Sequence, residues 1–308
     1  MLPPDDFNPP VGIAETLEAG LRRIVAPNPS PMTYRGTNTY LLGKTDLAVI
    51  DPGPEDQTHL AAILAAVQPG QRISHIIVTH AHLDHSPLAR PLALASGAPV
   101  LAFGTATAGR SEVMAALAAG GLIGGGEGID AAFAPDFTLA HGDLIEGDGW
   151  TLEALHTPGH IGNHLCLAWE DACFTADHVM DWASSLVSPP DGDLTDFMAS
   201  CALLQSRQWR IFHPGHGAPV DAPNARLDWL VAHRRTREAA ILERLLEQPA
   251  TAASLAAHIY ADTPASLLGA ATRNVLAHLV DLTGKGVIAP LGSLHATADF
   301  ELVQKNSG

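Results

Sequence analysis

His80-Ala81-His82-Leu83-Asp84-His85 decides how this chain is read, because four metal-binding side chains fall within six residues, directly after the apolar run Ile76-Ile77-Val78 and Thr79. An apolar strand ending in such a cluster exposes imidazole nitrogens and a carboxylate at its C-terminal edge, where they can converge on one or two cations. Histidine has no reason to recur at this spacing inside an apolar core.

Working outward, three further segments repeat the pattern. His156-Thr157-Pro158-Gly159-His160 follows the strand-like Thr151-Leu152-Glu153-Ala154-Leu155, Phe174-Thr175-Ala176-Asp177-His178 closes another apolar run, and Ile211-Phe212-His213-Pro214-Gly215-His216-Gly217 completes the series. Each candidate ligand sits just past a β-like stretch, often with Pro or Gly where a strand turns into a loop. One rim of a sheet sandwich is therefore expected to supply His80, His82, Asp84, His85, His160, Asp177 and His216. Isolated histidines such as His59, His75 and His141 read as solvated or capping residues. His156, His164, His178 and His213 adjoin the series and read either as partners that orient the ligands or as packing against a rim loop.

The series H-x-H-x-D-H, then His, Asp and His, resembles the metallo-β-lactamase superfamily of hydrolases. The resemblance implies an α/β (α+β) fold, an αββα sandwich holding two metal ions, usually zinc, with iron or manganese as substitutes. It also implies that His80, His82 and His160 bind the first metal, that Asp84, His85 and His216 bind the second, and that Asp177 bridges them. Two such cations activate water for hydrolysis. Asp84 and Asp177 are the residues expected to tune that water or relay its proton.

The chain has 308 residues, 46% of them hydrophobic, enough for one large domain and a smaller one. Met1-Leu2-Pro3-Pro4-Asp5-Asp6 lacks the basic and apolar regions of a signal peptide, and no apolar run reaches membrane-spanning length. A cytoplasmic location without membrane contact is the expectation. Cys166, Cys173 and Cys201 cannot pair completely and show no C-x-x-C spacing, so they read as buried apolar fillers.

Early in the chain, residues 21–26, 39–42 and 48–50 read as strands and 58–67 as a helix, an α/β order. Residues 105–136 are rich in alanine and glycine and read as a flexible surface loop flanking a short helix, without the context of a phosphate cradle. Residues 179–196, with Trp182, Ser184, Ser185 and Pro189-Pro190, directly follow Asp177 and can reach over the metals.

Residues 224–247 read as a long helix, with Arg234, Arg235 and Arg237 on its solvated face. Helix over 252–260, helix over 264–283, Gly284-Lys285-Gly286 and two short strands follow, the order of a winged helix. The expected division is a catalytic domain over 1–223 and a helical linker with a winged-helix-like domain over 224–308. With Asn28-Pro29-Ser30-Pro31-Met32 and Gly36-Thr37-Asn38-Thr39-Tyr40-Leu41, this arrangement resembles the β-lactamase-like protein 2 group over nearly the whole chain. That group includes single-strand-preferring endoribonucleases, and many bacterial relatives are labelled glyoxalase II-like hydrolases. Ser86-Pro87 departs from the group's Gly-Gly, and Ile161-Gly162-Asn163-His164 from its acidic Thr-Asp-Asp-His.

The formal charge is −16, and all of it lies in residues 1–223, which carry 9 Lys+Arg against 25 Asp+Glu; residues 224–308 carry 8 of each. A nucleic-acid-reading surface is basic. The charge therefore favours a small-molecule ester, thioester of the glyoxalase II type, or lactone over RNA, which stands as the alternative substrate. A winged-helix regulator acting on DNA is the third reading. In the first of these the tail is a packing or homodimerisation element that shapes the entrance to the site.

Overall fold

The computed structural model describes residues 7–126 and 128–303. The N-terminal hexapeptide, where no leader was expected, lies outside the described residues.

A seven-stranded sheet takes its strands in chain order: β1 (Glu15–Glu18), β2 (Leu21–Val25), β3 (Asn38–Leu42), β4 (Asp46–Ile50), β5 (Arg72–Ile77), β6 (Val100–Ala102) and β7 (Phe137–Thr138). A five-stranded sheet contains β8 (Leu144–Gly147), β9 (Trp150–His156), β10 (Leu165–Trp169), β11 (Ala172–Ala176) and β12 (Ile211–Pro214). Alternation along the strands builds the sandwich. Tyr40, Leu42, Ala48, Ile50 and Ile77 face Leu152, Ala154, Leu165, Leu167 and Phe174 between the sheets. Their neighbours Leu41, Leu47, Val49, Ile76 and Val78 point the other way, under α1 (Gln57–Ala65) and α2 (Ala89–Ser96). Cys166 and Cys173 point outward from the second sheet, under α4 (Leu194–Gln205) and the first half of α5 (Pro223–Leu245), whose Leu227, Leu230 and Val231 lie there. The central strands are covered on both faces, which is why β3, β4, β10 and β11 read as nearly continuous apolar runs. This is the αββα order that the resemblance implied, and the three cysteines are free and buried as expected.

The helices begin where the sequence provides caps. Asp56 accepts from His59 N at the start of α1, Asp193 from Thr195 N at α4, and Ser111 from Met114 N at α3 (Glu112–Ala119). α5 opens on Pro223 at its first position.

The tail adds α6 (Ala252–Ile259), α7 (Leu268–Gly284) and a three-stranded sheet of β13 (Ala250–Thr251), β15 (Asp299–Leu302) and β14 (Ile288–Pro290). Its core joins Ile241 and Leu245 of α5 to Leu255, Val275, Leu279 and Phe300. Two departures from the sequence reading centre on it. Residues 105–136 are not merely a surface loop, because Met114 and Leu117 of α3 are buried in the tail's core. The arginines of α5 do not share one solvated face: Arg234 is only 2% exposed, with its guanidinium 5.0 Å over the Phe197 ring.

Residues 185–194 are buried throughout, so the segment after Asp177 is packed as a strap between the sandwich and the tail. Among the described residues no helix is long and apolar enough to cross a membrane.

Candidate metal centre

The strands that precede the seven candidate ligands end at one rim. β5 delivers the loop with His80, His82, Asp84 and His85; β9, β11 and β12 deliver His160, Asp177 and His216. β11 and β12 pair in parallel, Ala172 opposite Ile211, and the register shifts between Phe174 and Ala176. Ala176, with φ of 42°, and Asp51, with φ of 50°, are non-glycine residues in the left-handed region at this rim. Such positions cost on the order of 1–3 kcal/mol each and persist only where surrounding structure enforces them.

All seven residues are at most 7% exposed. They form two groups sharing Asp177: His80, His82, His160 and Asp177, and Asp84, His85, His216 and Asp177. In the first, His82 Nδ1 lies 3.0 Å from His80 Nε2 and 3.0 Å from His160 Nε2, and His160 Nε2 lies 3.5 Å from Asp177 Oδ2. In the second, His216 Nε2 lies 3.1 Å from Asp84 Oδ2 and 3.3 Å from Asp177 Oδ1, and His85 Nε2 lies 3.4 Å from His216 Nε2. One oxygen of Asp177 thus faces each group.

The outer ring nitrogens fix which inner nitrogens carry lone pairs. His160 Nδ1 meets the Leu186 carbonyl at 2.7 Å and His216 Nδ1 the Gly36 carbonyl at 3.3 Å; a carbonyl only accepts, so both nitrogens donate. His85 Nδ1 donates to Asp51 Oδ2 at 2.9 Å. Thr79 donates its hydroxyl proton to the same Asp51 oxygen at 2.7 Å, leaving its own oxygen to accept from His80 Nδ1 at 3.0 Å. His80, His85, His160 and His216 are left with Nε2 facing inward, as histidine ligands held by a hydrogen-bonding partner are.

Donors arranged tetrahedrally about 2.0–2.1 Å from a zinc ion stand about 3.3–3.4 Å apart. The close donor pairs, at 3.0 to 3.5 Å, bracket that spacing, and all donors of a group lie within 4.8 Å of one another. Among the described residues Asp84 Oδ1 is buried and has no hydrogen-bond partner, an uncompensated oxygen that a cation or a proton satisfies. The donor set therefore fits a pair of divalent cations.

Without a cation, protons must balance the carboxylates. Burial lowers the pKa of His80, His160 and His82, the last to about 3. Burial acts the same way on His85 and His216, but Asp84 and Asp177 overcome it, holding His85 well above the usual value and His216 at about 10. Burial raises the carboxyls of Asp84 and Asp177, and His85 and His216 outweigh it, leaving both below the ordinary carboxylate range. Two carboxylates remain ionised in a buried site, which is where a cation gains most.

Glycine makes room for this packing. A Cβ on Gly215 would lie 2.4 Å from Asp177 Oδ1, and one on Gly159 would lie 2.3 Å from Phe197 Cα, with Gly159 at φ of 137°. Gly159→Ala is expected to destabilise the fold by about 1–3 kcal/mol from backbone strain alone. An unchanged urea midpoint would contradict the close approach of α4 to the His160 loop.

Sequence reasoning missed Asp51, which ties Thr79 N, the Thr79 hydroxyl and His85 into one network. The available signal was Ala48-Val49-Ile50 ending in Asp51-Pro52-Gly53, the same strand-then-polar pattern as the ligand segments. His59 is not solvated: it is 1% exposed, with Nε2 2.8 Å from Thr39 Oγ1. The histidines adjoining the series contribute no donor atom to either group. His164 bonds Thr157 Oγ1 at 3.0 Å and packs on His80, His156 stacks on Phe103, His178 packs on Phe197, and His213 lies between Tyr40 and Phe174.

A family model described as the metallo-beta-lactamase superfamily matches residues 32–233. The chain belongs to that superfamily. A second model, the beta-lactamase associated winged helix domain, matches residues 251–296, which contain α6 and α7. Metallo-β-lactamase-fold proteins are hydrolases that bind divalent metal, and this chain is a hydrolase of that fold. It is 31% identical over 304 residues to a beta-lactamase-like protein 2 homolog of Drosophila melanogaster, covering 94% of this chain and 96% of that one. It is also 30% identical over 236 residues to an atrochrysone carboxyl ACP thioesterase of Aspergillus fumigatus, covering 74% of this chain and 65% of the relative. Among solved structures, a beta-lactamase domain protein from Burkholderia ambifaria superposes with a TM-score of 0.79 at 20% identity, covering 98% and 97% of the two chains.

Proposed function

We propose that this metallo-β-lactamase-fold hydrolase carries two zinc ions, with iron or manganese as substitutes, and cleaves a small thioester, ester or lactone. The observation that carries the reading is the pair of buried donor groups joined by the two oxygens of Asp177. His80, His82 and His160 would hold one ion, Asp84, His85 and His216 the other, and Asp177 both. When bound, such ions lower the pKa of water towards about 7 and polarise the bond under attack.

The chain's own residues have defined tasks. Asp51, Thr79 and the Leu186 and Gly36 carbonyls hold four imidazoles with Nε2 inward. Asp84, whose Oδ1 has no hydrogen-bond partner among the described residues, and Asp177 would tune the attacking water or relay its proton. A cysteine nucleophile is not required, since burial pushes the Cys173 thiol well up and the Cys201 thiol to about 12.

The choice of substrate rests on charge and on the tail. The net −16 of residues 1–223 repels a polyanion, whereas a small ester needs no basic track. The thioesterase of Aspergillus fumigatus, by its name, acts on a carboxyl carried on an acyl carrier protein, which supports a thioester for this chain. A recognition helix must offer a solvent-facing side to a groove. Here residues 275–282 of α7 are all buried, and in its first turns, where residues 268–270 and 272–274 are half-buried or exposed, the one basic side chain, Arg273, is already engaged. Arg273 donates to the carbonyls of Ile123 and Pro189, and Lys285 pairs with Asp281 at 2.6 Å and Glu238 at 3.5 Å. Those contacts support the tail as a packing element and weigh against RNA or DNA as its partner.

The β-lactamase-like protein 2 match over most of the chain keeps a single-strand-specific endoribonuclease as the second reading. The test is kcat/KM of the zinc-loaded enzyme on thioesters, lactones, phosphodiesters and labelled single-stranded RNA at two salt concentrations. Faster turnover of a thioester or lactone is expected. Faster RNA cleavage, lost in His82→Ala, would reject the substrate class and leave the metal chemistry standing. Binding of single-stranded RNA by the full chain is expected to be weak with a shallow salt slope, because a tail of zero net charge releases few counterions. Sub-micromolar binding at physiological salt, lost on truncating the tail, would reverse the choice.

A further inference from the structure

His160 depends on a backbone atom for its orientation, the Leu186 carbonyl that accepts from Nδ1 at 2.7 Å. Leu186 lies in the strap, a stretch without helix or strand, so its position is set by whatever grips it. Within the sandwich Ser185 Oγ donates to the His178 carbonyl at 2.7 Å, and the rest of the grip comes from outside it. Asn274 Oδ1, on α7, accepts from Val187 N at 3.1 Å and from Arg234 Nη1 at 2.8 Å. Arg234, on α5, also donates through Nη2 to the Ser185 carbonyl. The residues on both sides of Leu186 are therefore tied to one pair of side chains.

Arg234 is buried and, among the described residues, forms no ion pair. A buried guanidinium is costly unless its donors are satisfied. Its hydrogen-bond acceptors are the Ser185 carbonyl and Asn274 Oδ1, with the Phe197 ring 5.0 Å from the guanidinium, so both of its hydrogen bonds hold only while the strap and α7 stay in register. That makes the link stiff in both directions.

We infer that Asn274 and Arg234 are positioning residues of the metal centre, through which the C-terminal domain sets the direction of His160 Nε2 and the affinity of the first metal group. The inference rests on His160 being a ligand. It gives the winged-helix module a role in the chemistry that needs no nucleic acid.

The test uses full-length protein loaded with cobalt(II), reading the visible bands that report coordination, with metal affinity measured by chelator competition. Asn274→Leu removes the acceptor, and Asn274→Ala serves in its place if leucine prevents folding. Asn274→Asp keeps an acceptor oxygen for both donors. Thr195→Val deletes a different bond between the two parts of the molecule, Thr195 Oγ1 to Asp281 Oδ1 at 2.7 Å, without touching Leu186. His160→Ala tests the ligand itself.

The expected result is that Asn274→Leu shifts the cobalt bands and weakens one of two binding steps about tenfold, the lower end of the loss seen when a ligand's hydrogen-bonding partner is removed. Asn274→Asp should restore both readouts, and Thr195→Val should leave both unchanged. An unchanged spectrum and affinity in Asn274→Leu, beside a clear change in His160→Ala, would overturn the inference alone. Equal weakening by Thr195→Val would also overturn it, by tracing the effect to general loosening of the interface. No change in His160→Ala would remove the ligand reading and the inference together.

Discussion

Replacing Asp177 with alanine is expected to lower kcat/KM by more than about 100-fold, beyond what loss of a ligand's outer partner does, and to reduce occupancy of both metal groups. Asp177 Oδ2 faces His160 and Asp177 Oδ1 faces His85 and His216, so one substitution removes a donor from each group. It also leaves His216 and His85 without a carboxylate that holds their charge. Asp84→Ala is expected to empty chiefly the second group, because Asp84 Oδ2 approaches only His216 and His85. Metal content measured on both variants after identical loading decides the matter. Loss from a single group in Asp177→Ala, equal to that in Asp84→Ala, would refute the bridge.

Stripping metal with a chelator is expected to lower Tm by about 10 °C. An ion at a thousandfold excess over its Kd stabilises the folded state by about 4 kcal/mol. At about 2–4 °C per kcal/mol for a domain of this size, the shift is roughly 8–16 °C. The site magnifies the effect because the donors of seven buried residues are otherwise left to one another. The shift should shrink on acidification, since protons compete for the inward Nε2 lone pairs. Re-addition of zinc should restore it. A Tm indifferent to both chelator and zinc would mean that the donors close on themselves without an ion.

Much of this architecture is legible in the sequence because ligand and strand are read together. A histidine or aspartate just beyond an apolar run lands on a rim, and four such runs land on the same rim once the sheets pair. The apolar strands read clearly because both of their faces are buried. The tail's two helices and short strands were likewise visible in their punctuation by Pro249, Pro264 and Gly284-Lys285-Gly286.

What was not legible depended on pairing between distant segments. Asp51 reaches Thr79 and His85 only because β4 and β5 run side by side in parallel, Ile50 opposite Ile77. Arg234 reads as solvated because a cluster of arginines on a helix ordinarily is; α7 and the strap cover it, and neither can be placed from local pattern. α3 carries two buried residues three positions apart, Met114 and Leu117, too short a signal to reveal that its partner is the tail's core. His59 gives no local hint that Thr39, twenty residues away, holds its ring.

The seven donors are proposed to bind two divalent cations. Elemental analysis of the zinc-reconstituted full-length protein, after removal of unbound metal and with circular dichroism to verify folding, tests it most directly. Close to two ions per chain are expected, falling when His80 or His216 is replaced. A folded protein that retains no more than trace metal would contradict it.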